Sequence, residues 1–476
     1  MRVDHVVVGG GLTGLSAALF LKLRNINCTV TVFESSERLG GWIRSKRFPD
    51  GSVHELGPRT IRMQSSSVNY LLNLISNINA TETIIPISKG DKNFHNRYIF
   101  ANKELSLLDF SLLKPAQKPF SQSMLTTVVK AALKKYEHEN VFQDLPVDYF
   151  VRTRFGNEIA DYVVDPVIRG IYACDSKDLS IQSTFPDLIK REEMGPNIVI
   201  GSLKHYLHSL FGSNKVENLI NCPSLSELAK NSSVLSFKGG LETIIDFLKL
   251  ELNKLGVEIQ LSNPVLKLKQ ASQEIEVISS SSNVKCKNLI LATPSFISSS
   301  LLSGMISNCN ILDHIHWNNV AVVVLEYKGR HIPYLGFGHL IPSWEMPDTL
   351  GVIYDSCILP DNDCKDYATT RYTIMLGGAW YYPNIDQLSS SELIAKAREV
   401  LKSQIGVEGD LVRSTVAVNS KCIPVYGLKH RDLVSTIRQS ITDSNLPIHL
   451  CGNSYDGVSL SDCVFSAHKA VERVSV

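Results

Sequence analysis

The chain opens on a short apolar run, Val3-Asp4-His5-Val6-Val7-Val8, that ends in three glycines. Apolar residues then recur at helical spacing from Leu15 to Leu23, and Cys28 to Phe33 is apolar and β-branched. A buried strand, a helix and a second buried strand in this order predict a β-α-β unit with parallel pairing. From about 66 to 235 the pattern changes. Helix-like stretches such as Tyr70 to Ile75 and Ser123 to Tyr136 lie between loops rich in Lys, Asn and Pro. Near Lys238 the α/β alternation returns: Gly239-Gly240, an amphipathic Leu241 to Leu255, then strand-like Val257 to Leu261, Ile275 to Ile278 and Asn288 to Ala292, with the serines at 279–282 as a hairpin tip. Residues 319–380 read as β-rich, with strands at Val320 to Glu326, Gly351 to Asp355 and Arg371 to Leu376. Residues 390–406 read as a helix, and His449 to Val476 as a strand, a glycine turn and a helix. There is no internal repeat.

At 476 residues the chain is too long for one simple core and predicts two or three domains. The dinucleotide-type segments lie at the start, near 238–295 and at the end, so the domains are interleaved in sequence. A net charge of +1, from 48 basic and 47 acidic residues, gives no reason to expect nucleic acid as a partner. The ten cysteines never form CxxC, which argues against a structural zinc site or a dithiol redox pair, and the length of the chain argues against a secreted disulfide scaffold. No metal is expected. The apolar start at Met1 leaves no room for a cleavable presequence, and no apolar stretch approaches the ~18 residues of a spanning helix.

Four motifs carry chemistry. In Gly9-Gly10-Gly11-Leu12-Thr13-Gly14, Gly9 permits the tight turn, Gly11 lets backbone approach a pyrophosphate, and Gly14 lets helix and strand pack closely. The helix N-terminus offers free N–H groups to phosphate. Glu34, followed by Ser35, ends the second strand, where a carboxylate accepts from ribose hydroxyls and repels an added phosphate. The second motif, Arg38-Leu39-Gly40-Gly41-Trp42-Ile43-Arg44, brings another glycine pair toward a long cofactor, with Arg38 available to phosphate. Glu55-Leu56-Gly57-Pro58-Arg59-Thr60 sets a rigid turn suited to a flat ring. Finally, Cys451-Gly452 through Gly457-Val458-Ser459-Leu460 leads into a helix whose N-terminus can face an anion or a flavin carbonyl. The first motif alone does not separate NAD from FAD. The other three, and the lack of a second GxGxxG for NADPH, favour FAD and an oxidase re-oxidised by oxygen or a quinone. HExxH, GxSxG and GKS/T are absent, so peptidase, lipase and P-loop readings lack support.

These motifs in this order, with Phe237-Lys-Gly-Gly-Leu-Glu242, resemble the flavin amine oxidase superfamily. Asn96-Arg97-Tyr98, Arg169-Gly170-Ile171-Tyr172, Gly336 to Leu340, Gly351 to Ser356, Met375 to Trp380 and Cys422 to Tyr426 narrow the resemblance to the oxygen-dependent protoporphyrinogen oxidases of mitochondrial type. Two positions depart from that pattern: Ala467 follows Ser466 where a glycine is usual, and Val425 stands where a Gln is usual.

The resemblance implies an α/β fold: a discontinuous Rossmann-like FAD domain (1–90, 236–296, 415–476), a β-rich substrate domain (91–108, 212–235, 297–414) and a helical membrane-binding insertion (109–211). It implies one non-covalent FAD per chain, a porphyrinogen substrate and O2, in the six-electron oxidation of protoporphyrinogen IX to protoporphyrin IX with H2O2 released. It adds Val265 to the cofactor contacts, places Arg59 near the flavin, makes Arg97 the anchor of a propionate, and sets Gly170, Phe337, Leu340, Ile353 and Met375 against the ring. No side chain is assigned as acid or base; His339 reads as a hydrogen-bonded structural residue. Residues 105–136, apolar with Lys114, Lys130, Lys134 and Lys135 at the edge, suit a membrane surface. A peripheral place on the inner mitochondrial membrane facing the intermembrane space, a homodimer, and delivery of product to ferrochelatase belong to the same implication. Two alternatives stay open: a flavin amine or polyamine oxidase, and a non-enzymatic binder like the GDP-dissociation inhibitors.

Overall fold

The computed structural model describes residues 2–65, 67–134, 143–211, 222–380 and 385–474. Two compact units form: Met1–Lys89, Asn218–His316 and Arg431–Val476 make the first, Gly90–Glu217 and Trp317–His430 the second.

The first unit is built on the predicted β-α-β start: β1 (Arg2–Val8), α1 (Leu12–Arg24) and β2 (Val30–Phe33). Val6, Val7, Val30 and Val32 are buried, as parallel strands covered on both faces require. α1 is apolar around most of its circumference and is buried accordingly. Its C-terminal Lys22 donates to the carbonyls of Ile26 (2.6 Å) and Cys28 (2.9 Å), which fixes the turn into β2.

A seven-stranded sheet runs in the order Glu258–Gln260, β2, β1, Asn283–Leu291, Glu274–Ser279, Val265–Ala271, with Ile448–Leu450 on the far side of Asn283–Leu291. The strands around β1 are parallel, while Val265–Ala271, Glu274–Ser279 and Asn283–Leu291 form an antiparallel meander, turning first at Ser272-Gln273 and then at Ser280 to Ser282. Ile448–Leu450 pairs in parallel with Leu289–Leu291, beyond the point where the hairpin releases that strand. The end of the chain thereby completes a sheet begun at its start. A three-stranded sheet, Ile61–Arg62, Ser232–Phe237 and Ile84–Ser88, lies in the same unit.

The second unit carries a seven-stranded sheet in the order Leu411–Pro424, Trp317–Lys328, Thr369–Gly377, Thr349–Ile353, Gly338–Leu340, Arg97–Ala101, Glu104–Leu107. One face packs on the helix Ser390–Ile405 through Val323, Val352, Ile374, Leu393, Ala397 and Leu401. That helix starts with a capping box, Ser389 with Glu392, and stops at Gly406 in the left-handed region. Helices between Val147 and Phe211 complete the unit, among them Val147–Phe155, Asp165–Tyr172 and Ile198–Phe211.

Sheet pairing redistributes three segments relative to the sequence reading. Ser232–Phe237 joins the three-stranded sheet of the first unit. Residues 297–316 also lie in the first unit. Leu411–Pro424 pairs along Trp317–Lys328, so 415–424 belongs with the second. A strand's membership is set by its partner, and no composition change marks it. The insertion 109–211 groups with the second sheet and does not stand as a third unit. Within it Glu104–Leu107 is a strand against Arg97–Ala101, so the membrane reading loses Leu105 to a hairpin. The predicted helix at Ser123 to Tyr136 is Met124–Leu133, capped by Ser123, while Lys135 and Tyr136 lie outside the described residues.

Candidate cofactor and substrate sites

In the first unit the second and fourth motifs meet the head of α1, and the third rests on the second. Gly9 has φ +111°, and its N–H donates to the Phe33 carbonyl at 2.8 Å. At Gly14 a Cβ would stand 1.9 Å from the Gly9 carbonyl oxygen, so the helix can lie this close to the strand only with glycine there. Gly11 differs. Its backbone is extended (φ −75°, ψ 176°), and a Cβ would meet nothing nearer than Gly41 Cα at 3.9 Å. Nothing in the chain itself demands glycine at 11. The space before it lies at the head of a helix with no side-chain cap, where unpaired N–H groups favour an anion. A pyrophosphate fits that cradle and explains the glycine.

Glu34 stands beside it. Its Oε2 accepts from the Gly10 N–H at 2.7 Å, and its Oε1 from Ser36 N–H and Oγ–H (2.8 Å each) and Ser35 Oγ–H (3.3 Å). These bonds orient the carboxylate and leave lone pairs for ribose hydroxyls. The Gly40 N–H donates to the Gly10 carbonyl at 2.9 Å, which lays the second motif along the first. Arg38 does not reach outward to phosphate. Its guanidinium donates to the carbonyls of Leu39 (2.9 Å), Ile43 (3.0 Å) and Gly41, with Glu242 at 3.7 Å. Three carbonyls of one tight loop converge on the fork and hold it there, so Arg38 shapes the loop that presents Gly41 and Trp42. Trp42 in that loop is about a third exposed.

A Cβ on Gly57 would fall 2.0 Å from the Trp42 carbonyl oxygen, so the Gly57-Pro58 turn rests directly on the second motif. Arg59 is buried, and its carbonyl accepts from Ser236 Oγ–H at 3.0 Å. Phe237 to Glu242, which the sequence grouped with these motifs, serves them from behind: Glu55 accepts from Ser45 Oγ–H and the Leu241 N–H, both at 2.7 Å. The C-terminal turn brings Gly452 over α1, with its Cβ position 3.6 Å from the Thr13 side chain. Ser459 caps the helix Leu460–Glu472 through the Asp462 N–H, and Asp462 also accepts from Ser67 Oγ–H at 2.7 Å. Val265 begins the edge strand Val265–Ala271 at a register shift.

In the second unit the register explains why scattered residues share one surface. Arg97 pairs with Gly338 and Gly338 with Ile353, while Leu340 pairs with Gly351 and Gly351 with Met375. Cross-strand partners share a face, and positions two apart repeat it. Arg97, Leu340, Ile353 and Met375 therefore line one face, away from helix Ser390–Ile405. The helix Asp165–Tyr172 meets this face at Gly170, where a Cβ would lie 2.8 Å from Leu340 Cδ2. The Arg97 guanidinium sits 5.7 Å from the Phe94 ring centre and 5.9 Å from that of Phe337. Arg169, wholly buried and missed by the sequence reading as a structural part, donates to the carbonyls of Ile341 (2.6 Å), Met346 (3.0 Å) and Pro347 (2.7 Å). It pins the segment that follows Leu340, and burial draws its pKa down to about 10.

His339 points to the other face. Its Nε2–H donates to Gln404 Oε1 at 2.6 Å and its Nδ1 accepts from Tyr354 O–H at 2.8 Å. Burial, only partly offset by the Gln404 bond, draws its pKa down to about 4. With both ring nitrogens engaged in the core, His339 is a structural histidine and not a base.

Among the described residues no cluster of His, Cys, Asp and Glu could hold a metal ion, and all ten cysteines are free. The family described as flavin containing amine oxidoreductase matches residues 12–475. Protoporphyrinogen oxidase of Homo sapiens is 33% identical over 98% of both chains, and mitochondrial protoporphyrinogen oxidase of Nicotiana tabacum is 26% identical over 98% of this chain and 94% of the relative. A crystal structure from Exiguobacterium sp. 255-15, of a protein assigned by name to the protoporphyrinogen oxidases, superposes with TM-score 0.79 at 21% identity over 99% and 98% of the two chains, a likeness of fold. The chain belongs to the flavin containing amine oxidoreductase family and, within it, to the protoporphyrinogen oxidases, and it uses FAD.

Proposed function

We propose that this chain oxidises protoporphyrinogen IX to protoporphyrin IX in haem biosynthesis, with O2 as acceptor. The observation that carries the substrate is the sheet face of the second unit. It sets Leu340, Ile353 and Met375 as an apolar surface for a flat ring and Arg97, flanked by Phe94 and Phe337, as the cation for a propionate. FAD, when bound, would supply the redox chemistry: a two-electron acceptor for each of three oxidations, with O2 as the final acceptor and H2O2 as by-product. The protein's part is to hold and orient. Gly9 to Gly14 and the head of α1 take the pyrophosphate, Glu34 the ribose, and the turns at Gly57–Thr60 and Gly452–Leu460 the flavin end. Of the six hydrogens removed, four leave the bridging carbons and two the pyrrole nitrogens. Three go as hydride, so pyrrole N–H supplies two of the three protons and a bridging carbon, acidified by the adjoining oxidised pyrrole, supplies the third, and no side chain is assigned as base.

Attachment to a membrane surface extends the same reading. Leu107, Phe110, Leu112, Leu113, Leu125 and Leu133 are all exposed, and Lys114 and Lys130 lie among them. Among the described residues no helix is long and apolar enough to cross a bilayer, so contact would be peripheral. With the mitochondrial tobacco relative, this supports a place on the inner mitochondrial membrane. A homodimer and hand-over of product to ferrochelatase stay part of the proposal.

Anaerobic mixing with protoporphyrinogen is the test. Bleaching of the flavin, then porphyrin fluorescence and peroxide on admitting air, is expected; an unchanged flavin spectrum overturns the reading. Arg97→Ala should raise KM for the substrate about tenfold or more, as the loss of a charged hydrogen bond implies, and an unaltered KM would remove Arg97 as the anchor.

A further inference from the structure

The C-terminal glycine turn contains a charge cluster that the sequence motifs did not reveal. The Asp456 carboxylate is nearly buried, with its side chain 7% exposed. It accepts from Arg438 Nη1–H (3.1 Å) and Nη2–H (2.7 Å), from Lys469 Nζ–H (3.2 Å) and from Ser466 Oγ–H. Ser466 Oγ in turn accepts from the Gly452 N–H at 2.9 Å. A third Arg438 bond, from Nη2–H, goes to the Leu450 carbonyl at 3.3 Å, in the strand that feeds the turn.

Gly452 has φ +117° and Gly457 φ +129°, and two glycines give a segment the widest choice of conformations. Within it the Tyr455 N–H and Asp456 N–H donate to the Gly452 carbonyl, at 3.1 and 3.3 Å. The clamp on Asp456 ties this turn to helix His430–Asp443 through Arg438 and to helix Leu460–Glu472 through Ser466 and Lys469. Beyond it, the Ser459 and Asp462 cap fixes the start of the last helix, so Val458 to Leu460 are displayed between two pinned points.

We propose that Asp456 is a positioning residue for FAD: through Arg438, Ser466 and Lys469 it fixes the turn Gly452–Gly457 and thereby the N-terminus of the last helix against the cofactor. This rests on the reading above that the turn faces the flavin. Burial pushes the carboxyl upward, but the bonds to Arg438 and Ser466 and the charge of Lys469 outweigh it and hold the pKa near about 2. The clamp stays ionised through neutral pH, and wild-type FAD affinity should not change with this group between pH 5 and 9.

The test is an FAD titration of the apoprotein, followed by flavin fluorescence and absorption, with steady-state kinetics at saturating FAD. Asp456→Asn keeps the shape and removes the charge. Its FAD Kd should rise about tenfold or more, on the scale of one charged hydrogen bond. Its flavin absorption band should shift, and kcat should fall while KM for porphyrinogen holds. Asp456→Glu should recover most of the affinity, and Arg438→Gln added to Asp456→Asn should cost no more than Asp456→Asn alone. A lowered Tm with wild-type FAD Kd and spectrum would overturn the proposal, because a purely structural clamp predicts that result. Should Asp456→Asn not fold, Ser466→Ala decides: a several-fold weaker FAD Kd supports the proposal and an unchanged one overturns it. Wild-type protein that took up no FAD would overturn the parent reading itself.

Discussion

Gly11 and Gly14 are both glycines of one motif, yet the structure gives them different reasons, and alanine at each separates those reasons. At Gly14 the added methyl would sit 1.9 Å from the Gly9 carbonyl oxygen and 3.3 Å from Val7 Cγ1. Both contacts belong to β1 or its end, so relief requires α1 to move off the sheet. Overpacking of this kind costs about 1–3 kcal/mol or more. At Gly11 the methyl has 3.9 Å of clearance, and φ −75°, ψ 176° suits alanine. The apoprotein should lose nothing there, and reduced freedom of the unfolded chain stabilises it by up to about 1 kcal/mol. The methyl would instead occupy the approach of the pyrophosphate. Losing one charged hydrogen bond, about 1.5–3 kcal/mol, weakens FAD by roughly one to two orders of magnitude. The assay is a pair of measurements on apoprotein, thermal unfolding and FAD titration. Gly14→Ala should lower Tm; Gly11→Ala should leave Tm level or raised while FAD Kd rises. A Gly11→Ala protein that binds FAD as wild type would refute the placement of the pyrophosphate at this glycine.

Two further outcomes follow from buried charge. Arg154 and Glu192 form a two-point ion pair at 2.9 and 3.0 Å with side chains 4% and 2% exposed, so Glu192→Ala should cost about 3–5 kcal/mol in a denaturant melt by leaving a buried guanidinium without its carboxylate. A paired Arg154→Met and Glu192→Leu change should cost much less, and equal losses would contradict the account. The second concerns acid. His339 is neutral in the fold with pKa about 4, against about 6.5 in the unfolded chain, and His449 is drawn down to about 4 by burial, then by Arg473 and His5. Between these values the unfolded chain binds protons that the native chain does not. Stability is therefore full above pH 6.5 and falls as pH drops toward 4, by on the order of 3 kcal/mol for His339. Urea midpoints at pH 7 and 4.5 measure this, and His339→Gln should flatten the slope.

Local signals in the sequence determined the head of the cofactor site. Gly9 to Gly14 and Glu34 act through backbone geometry and nearest-neighbour spacing, which the order of residues states directly, and β1, α1 and β2 stand as read. The periodicity also located most strands and the helix Ser390–Ile405. What only the tertiary structure decided depends on partners far away in sequence. Arg38 turned inward because three carbonyls of its own loop close on it. Leu411–Pro424 left the cofactor unit because its hydrogen-bond partner is Trp317–Lys328. Arg97, Leu340, Ile353 and Met375 became one surface only through the register of four strands. The Asp456 clamp joins three elements whose charges carry no common motif. Spacing along the chain encodes turns and periodic faces, whereas the pairing of distant groups is set by packing and so is absent from any short stretch of residues.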